Sequence, residues 1–361
     1  MERLNNKYSY QPLAAKAILD MALSQKYVAA ILAAAPSSGK STIIIHALNS
    51  FLESYPHARV VILTHNQNIL KNQMIENFEN PNVEIKFTFG IFGSNSQVEI
   101  GIPSNASKIS EMDLLVVDEA HQYYWEPMVD AIVDKHTPKY QILMTGSPSY
   151  FVKYNKAVDN SRKTAKKFGM HFIAANDLMN GVFSPMDIDV VRFDQKQTID
   201  KMKAVFDRAE EEEYDMTKLM WACKTIKEAK AVAYYLKNEF GRKVFVSTSE
   251  NDVDSEAIQD FINSKDGVLI VVNKGILGFS DSYITCLVDF KCSKDLDTRN
   301  QFFARGLRVH PEGIRKAYIS TSNTKNWNKE GQVLNQMISL MDREVFMRYD
   351  GTPLKDSMRA A

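Results

Sequence analysis

Residues 27–52 run from an apolar segment through a short polar loop into an amphipathic segment, and the loop reads Ala34-Ala35-Pro36-Ser37-Ser38-Gly39-Lys40-Ser41-Thr42. Tyr27 to Ala34 is almost unbroken in apolar character, as a buried parallel strand is. Ser41 to Leu52 repeats Ile44, Ile45, Leu48 and Leu52 at helical spacing. Strand, tight loop and helix in this order predict an α/β unit whose loop, Pro36 to Thr42, cradles phosphate. Backbone N–H groups and the positive end of the helix point at the anion, Lys40 reaches the outer phosphates, and the Ser41 hydroxyl takes a Mg²⁺ ion.

A second apolar strand, Asp113 to Val117, ends in Asp118-Glu119-Ala120-His121. Two adjacent carboxylates at a strand end are costly to desolvate unless a cation or a reacting water uses them. Beside a phosphate cradle, Asp118 is placed to hold Mg²⁺ through water and Glu119 to polarise the attacking water.

The 361 residues suffice for two domains. Lys+Arg and Asp+Glu number 44 each, so any nucleic-acid surface must be local rather than global. Cys223, Cys286 and Cys292 are too few and too irregularly spaced for a disulfide framework or a zinc site, and read as reduced core thiols. No apolar run approaches the ~18 residues of a membrane span, and the N-terminal stretch is polar, which points to an intracellular, cytoplasmic protein.

Upstream, Tyr8-Ser9-Tyr10-Gln11-Pro12 precedes a helix expected over residues 13–23. The Gln11 amide can both donate to and accept from adenine, and Tyr8 or Tyr10 can stack on the base. Arg59 to Thr64 reads as a strand ending in His65-Asn66, and Ile85 to Phe92 as a strand with Thr88-Phe89-Gly90 at its end. Tyr140 to Met144 closes in Thr145-Gly146-Ser147. Strand ends gathered on one side of a parallel sheet bind ligands, so His65, Asn66, Thr88, Gly90 and Thr145 are candidates for nucleic-acid contacts. Lys153, Lys156, Arg162, Lys163, Lys166 and Lys167 form a local basic surplus opposed by Asp159.

Pro185 and weak periodicity place a domain boundary between residues 185 and 186, giving domains 1–185 and 186–361. The acidic run Glu210 to Glu213 is expected on the surface. Strand–helix alternation then restarts without a phosphate loop: strands at 219–223, 244–248, 268–272 and 285–290, helices at 226–240 and 255–262. Gln301-Phe302-Phe303-Ala304-Arg305-Gly306-Leu307-Arg308 is expected to open a helix with Arg305 and Arg308 on one face, aimed at one anion. A C-terminal helix is expected over residues 329–348 from Val333, Met337, Leu340, Met341 and Val345.

In this order the blocks resemble a superfamily 2 DEAH-box helicase or translocase. Ala34 to Ser41 matches motif I, with Ser37 in place of the middle Gly. Asp118 to His121 is an intact DEAH box, and Thr145-Gly146-Ser147 corresponds to motif III. Gly278-Phe279-Ser280-Asp281-Ser282 is similar to motif V, and Gln301, Arg305, Gly306 and Arg308 to motif VI. The Tyr-Gln lead and the Arg-Gly-Leu-Arg run resemble the UvsW, RecG and restriction-translocase branch, including phage recombination and repair helicases.

The resemblance implies two tandem RecA-like, doubly wound parallel-sheet domains with an ATP cleft between them. It implies ATP and Mg²⁺ as cofactors and nucleic acid, DNA before RNA, as partner of a monomeric motor. Carried over residue by residue, Gln11 reads adenine, with Tyr10 beside it. Lys40 and Ser41 hold phosphates and Mg²⁺, and Asp118 and Glu119 serve metal and water. His121 and Gln301 communicate between domains, Arg305 and Arg308 act on the γ-phosphate, and Gly278 and Asp281 belong to the nucleotide site, with Lys274 in the same loop facing nucleic acid. The rival readings are an RNA helicase, a P-loop assembly ATPase and a nucleic-acid clamp without turnover.

Overall fold

Strand formation follows the apolar runs closely. The computed structural model describes residues 8–64, 68–109, 111–161, 164–179, 181–193, 197–252, 256–272, 281–323 and 326–352. The chain divides into two compact units. The first holds the residues up to Leu178 together with Asp342–Thr352, and the second holds Met179–Met341. The sequence reading set the boundary at 185/186 and gave the whole C-terminal segment to the second domain.

The first unit contains β1 (Ala30–Ala34), β2 (Val60–Leu63), β3 (Phe89–Ile91), β4 (Val98–Gly101), β5 (Leu114–Val117), β6 (Tyr140–Thr145) and β7 (Gly169–Ile173). They form one seven-stranded sheet in the order β3-β4-β2-β5-β6-β1-β7, every pairing parallel. Strands β1, β2 and β5 are buried at every residue, because helices cover both faces of an all-parallel sheet. Alternate residues Ile31, Ala33, Val61, Leu63, Leu115, Val117 and Leu143 share a core with Val129, Ile132, Phe151, Phe172 and Phe346. The helix Tyr10–Leu23 packs on β1, β6 and β7 and on the helix Lys40–Ser54.

The second unit contains β8 (Met186–Phe193), β9 (Lys218–Ala222), β10 (Val244–Ser247), β11 (Gly267–Val271), β12 (Cys286–Asp289) and β13 (Lys316–Asn323). Their order is β10-β11-β9-β12-β13-β8, again all parallel. Trp221, Cys223, Val268, Ile270, Val288 and Ile319 pack with Met202 and Val205 of the helix Thr198–Glu211 and with Ala229 and Val232 of the helix Ile226–Asn238. Glu210, Glu211 and Glu213 are exposed, as expected. Cys223 and Cys286 are buried free thiols, and Cys292 is a half-buried one.

Four expectations change. The weak periodicity read around Pro185 conceals a strand, since Met186 onward forms edge strand β8, paired with β13 over its whole length. Thr88 does not close a strand, because β3 begins at Phe89. Thr88 and Gln97 exchange bonds, Gln97 N to Thr88 Oγ1 at 3.0 Å and Thr88 N to Gln97 Oε1 at 3.2 Å, and the Thr88 carbonyl accepts from Val98 N at 3.0 Å, so Thr88 stands at the start of the ladder rather than at its end. Arg305 and Arg308 are not on a helix. The helix runs Leu296–Phe303, started by Asp295 accepting from Thr298 N, and gives way to a tight turn in which Arg305 N bonds Phe302 O and Leu307 N bonds Ala304 O. The C-terminal helix is two helices, Trp327–Ser339 and Arg343–Arg348, because Asp342 caps the second by accepting from Glu344 N and Val345 N.

Arg343–Arg348 belongs to the first unit. Phe346 is buried against Phe172, and Lys156 donates to the Arg348 carbonyl at 3.0 Å and pairs with Asp350 at 2.6 Å. Part of the basic surplus is thereby neutralised, as is Lys167 by Asp159. Arg162 and Lys163 lie outside the described residues.

Candidate functional site

In the first unit the ends of β1, β2, β5 and β6 lie along one edge, since Ala33 is in register with Thr145 and Leu63 with Val117. The phosphate loop leaves β1 there. Gly39 caps the helix Lys40–Ser54 in a left-handed conformation with φ +81°, and Ser37 is also left-handed at φ +67°. A methyl group placed on Gly39 would meet Gln11 Nε2 at 2.6 Å, so the adenine-reading amide of the sequence analysis is seated directly on the loop. Tyr10 OH donates to the Ser38 carbonyl from the same helix, and Gln11 is buried.

Lys40 Nζ stands 4.0 Å from Glu119 Oε1, and Glu119 Oε2 stands 3.5 Å from His121 Nδ1. His121 Nδ1 is in turn 2.9 Å from Thr145 Oγ1, and Thr145 Oγ1 accepts from Ser147 N at 2.9 Å. Motif by motif, the loop, the acid pair and the Thr-Gly-Ser segment form one connected set. Gly146 is part of it, because a side chain there would meet Pro36 Cγ at 2.9 Å and Lys40 Nζ at 3.7 Å. Thr145 is fully buried, and its hydroxyl is used within this set.

Glu119 holds φ +48°, a left-handed conformation that costs a non-glycine residue about 1–3 kcal/mol. Its N–H donates to Asp118 Oδ1 at 3.0 Å. The Asp118 carboxyl is pushed up to about 7, by burial first and then by the Glu119 charge, against Lys40 and the Glu119 N–H. Added positive charge at this position therefore favours its ionised form.

Three observations test whether a nucleotide and Mg²⁺ fit. Ser38 Oγ is buried without a hydrogen-bond partner among the described residues, Gly39 leaves room only for a backbone-lined cradle, and Asp118 is a carboxylate short of positive charge. The residues fit both groups. Among the described residues no three His, Cys, Asp or Glu side chains cluster as a protein-only metal cage. Asn77 was not anticipated: its Nδ2 donates to Ser41 Oγ at 3.3 Å from the helix Asn68–Phe78.

The second unit gathers its candidates at the opposite kind of edge, where strands begin. Asp281 Oδ2 pairs with Lys218 Nζ at 2.6 Å, both buried, and Asp281 Oδ1 accepts from Tyr283 N at 2.9 Å. Lys316 Nζ donates to the Ser282 carbonyl at 2.8 Å. Arg308 bridges Phe183, and Ser184 N bonds the Leu307 carbonyl at 2.8 Å. Gln301 and Arg305 are buried and Arg308 is half-buried.

The helix carrying Gln301 is anchored by buried Arg299, which bonds Tyr318 OH at 3.1 Å, Ser320 Oγ at 2.8 Å and Glu330, and lies 3.3 Å from Asp289. Lys218, Lys316 and Arg299 escaped the sequence analysis. Their only signal is a basic residue at the head of an apolar strand or inside a buried helix face. Gly90 lies in edge strand β3. His65, Asn66, Lys274 and Gly278 lie outside the described residues.

Residues 5–150 match the family model for the Type III restriction enzyme, res subunit. The whole architecture is similar to S. cerevisiae Dbp5 bound to RNA and ADP BeF3. The TM-score is 0.64 with 16% identity, over 93% of this chain and 91% of that one. A leucine-to-valine variant of S. cerevisiae Dbp5 bound to the same ligands gives 0.63 and 17% over the same shares. No curated protein matches the chain in sequence. The fold is thus a tandem pair of RecA-like α/β domains. Among the described residues no helix is long and apolar enough to cross a membrane.

Proposed function

We propose that the chain is a nucleic-acid-stimulated ATPase of superfamily 2, a helicase or translocase. The observation that carries this reading is the connected set Lys40–Glu119–His121–Thr145 on the phosphate-loop edge of a tandem RecA-like fold. When bound, the nucleotide supplies the phosphoanhydride and Mg²⁺ neutralises charge on its phosphates.

The chain's own residues do the rest. Gln11 and Tyr10 hold the base end beside the loop, while Lys40, Ser41 and the backbone of Pro36 to Thr42 hold the phosphates. Asp118 carries the negative charge that retains the ion. Glu119 orients the attacking water and accepts its proton. His121 and Thr145 pass the state of Glu119 to the Thr145–Ser147 segment. Arg305 and Arg308 are the residues we assign to phosphate recognition in the second unit, with Gly278 and Asp281 assigned to nucleotide handling by their resemblance to motif V. His65, Asn66, Thr88, Gly90 and Lys274 contact the polymer.

DNA is the polymer we propose, with remodelling of branched or duplex DNA in recombination or repair, a phage included, as the setting; the matching family model describes a restriction-enzyme subunit. RNA is the second reading, favoured by the RNA-bound state of the similar Dbp5 structures. ATP hydrolysis measured without polymer, with single-stranded and forked DNA and with matched RNA tests both. Stimulation by DNA that Glu119→Gln lowers by ~10²–10⁴ in kcat is the expected result. Stimulation by RNA alone selects the second reading, and no turnover above the variant on any polymer overturns the proposal.

A further inference from the structure

At the edge of the first sheet opposite the phosphate loop, where β1 and β6 begin, lies a cavity of about 530 Å³. That is within the roughly 300–1,000 Å³ of small-ligand sites. It is lined by the starts of both strands, by the end of the helix Tyr10–Leu23 and the turn after it, and by Lys139 and Lys166. Hydrogen bonds tie these walls together. Lys166 Nζ donates to the Gln25 carbonyl at 3.0 Å, and Val28 N donates to the Lys167 carbonyl at 2.8 Å. A side chain on Gly169 would meet Met21 Cγ at 2.6 Å and Tyr27 Cδ2 at 2.8 Å, so the bare glycine lets both settle against the start of β7. Tyr27 is still 39% exposed, a ring held in place yet open to solvent.

The charge of this cavity is one-sided. The described residues that line it include two lysines and no carboxylate, in a chain whose formal charges cancel. Lys139 lies 5.2 Å from the Tyr140 ring and Lys166 meets a neutral carbonyl, so neither charge is cancelled at short range. Lys156 and Lys167 of the basic surplus are each paired with an aspartate, whereas Lys166 faces the cavity. Ammonium groups keep N–H donors to spare, and Met21, Ala22 and Val28 supply apolar wall. Such a lining suits a ligand with phosphate at one end and a planar, weakly polar body at the other.

We infer that this cavity binds a nucleotide, its phosphate held by Lys139 and Lys166 and its base laid against Tyr27. The inference does not rest on the reading of the phosphate loop, because the loop leaves the far end of β1, roughly 16 Å away along a five-residue strand. A free mononucleotide and one unit of a polymer strand present the same chemistry, and the test separates them.

The test is calorimetric titration, without Mg²⁺, of the full-length chain carrying Lys40→Ala, which removes the phosphate-loop lysine. The probes are UMP, uridine and a single-stranded oligothymidylate. UMP is expected to bind, and uridine to bind about tenfold or more weakly for want of the phosphate. Lys139→Ala, at an exposed side chain, is expected to weaken UMP about tenfold, and adding Lys166→Ala to weaken it further. Tyr27→Ala is expected to cost about fivefold or more. Lys153→Ala, an exposed lysine of the same unit outside the cavity, is expected to change nothing.

Oligothymidylate that binds about tenfold or more tightly than UMP, and loses that affinity in the same variants, assigns the site to a polymer strand. UMP that binds as tightly as the oligonucleotide assigns it to a free nucleotide. Binding of neither probe overturns the inference. So does binding that Lys139→Ala alone leaves at the Lys153→Ala value, a comparison that stands even where the double variant, checked by circular dichroism, fails to fold.

Discussion

The two candidate edges are built by different physics. In the first unit the phosphate loop and the acid pair lie where strands end, and they are shaped by backbone conformation: Ser37, Gly39 and Glu119 all hold positive φ within a connected site. In the second unit the arginine turn and Asp281 lie where strands begin, and no residue from Arg305 to Arg308 holds positive φ. Its geometry is set instead by buried charge, the Lys218–Asp281 pair and the Arg299 cluster with Asp289, Tyr318 and Glu330. A cradle that grips phosphate with N–H groups must control its own backbone, whereas a turn that presents a guanidinium needs only a rigid platform.

The largest expected effect probes function at the second edge. Arg305→Ala or Arg308→Ala is expected to lower kcat for ATP hydrolysis by ~10³–10⁵, far more than any accompanying loss of stability accounts for. Stopped-flow phosphate release measures the first and thermal unfolding the second. A loss of fold equal to the loss of rate would show that the arginines serve the platform instead.

Stability should separate the edges next. Arg299→Ala leaves Asp289 and Glu330 buried without their counter-charge and is expected to cost about 3–5 kcal/mol, read as a lowered urea midpoint in the second unit. Gly39→Ala acts on the first unit through backbone alone. Its φ of +81° predicts a cost of about 1–2 kcal/mol, in addition to displacing Gln11. Reversal of that order would break the comparison.

The smallest effect belongs to the surface pair Lys156–Asp350. The hydrogen bond from Lys156, with further bonds from Thr352, holds the Asp350 carboxyl down at about 2. A depressed carboxylate stabilises the fold above its unfolded value of 3.8 and loses that contribution as pH falls through about 2. The lysine is half exposed, so Lys156→Ala is expected to cost only about 0.2–1 kcal/mol at pH 7. Thermal unfolding of the variant should differ progressively less from wild type between pH 4 and pH 2.

The same contrast explains what the sequence made legible. Gly39, Lys40, Asp118 and Glu119 announce themselves as candidates because they stand in contiguous motifs, and strands such as β1, β2, β5 and β11 announce themselves as unbroken apolar runs, whereas the buried strands β4 and β13 went unread because Glu99, Lys316, Ser320, Thr321 and Ser322 interrupt theirs. Lys218, Asp281 and Lys316 meet only through the sheet order β9-β12-β13, which no local pattern encodes. The edge strands β3 and β8 were misplaced or missed because they are covered less completely and carry polar residues, such as Asp187, Asp189 and Arg192 in β8. Arg305 and Arg308 were set on a helix because their spacing fits one. The spacing is silent about the tight turn that follows Phe303, in which Arg305 N bonds Phe302 O and Leu307 N bonds Ala304 O.

The return of Asp342–Thr352 to the first unit has a consequence for how the protein is made. Residues 8–178 include the phosphate loop and all seven strands, yet Phe346 and Tyr349 complete their packing from the far end of the chain. During synthesis the first unit therefore waits, its Phe172 side uncovered, until the second has been translated in full. A ribosome stalled before residue 342 would display an unfinished first unit to chaperones and proteases.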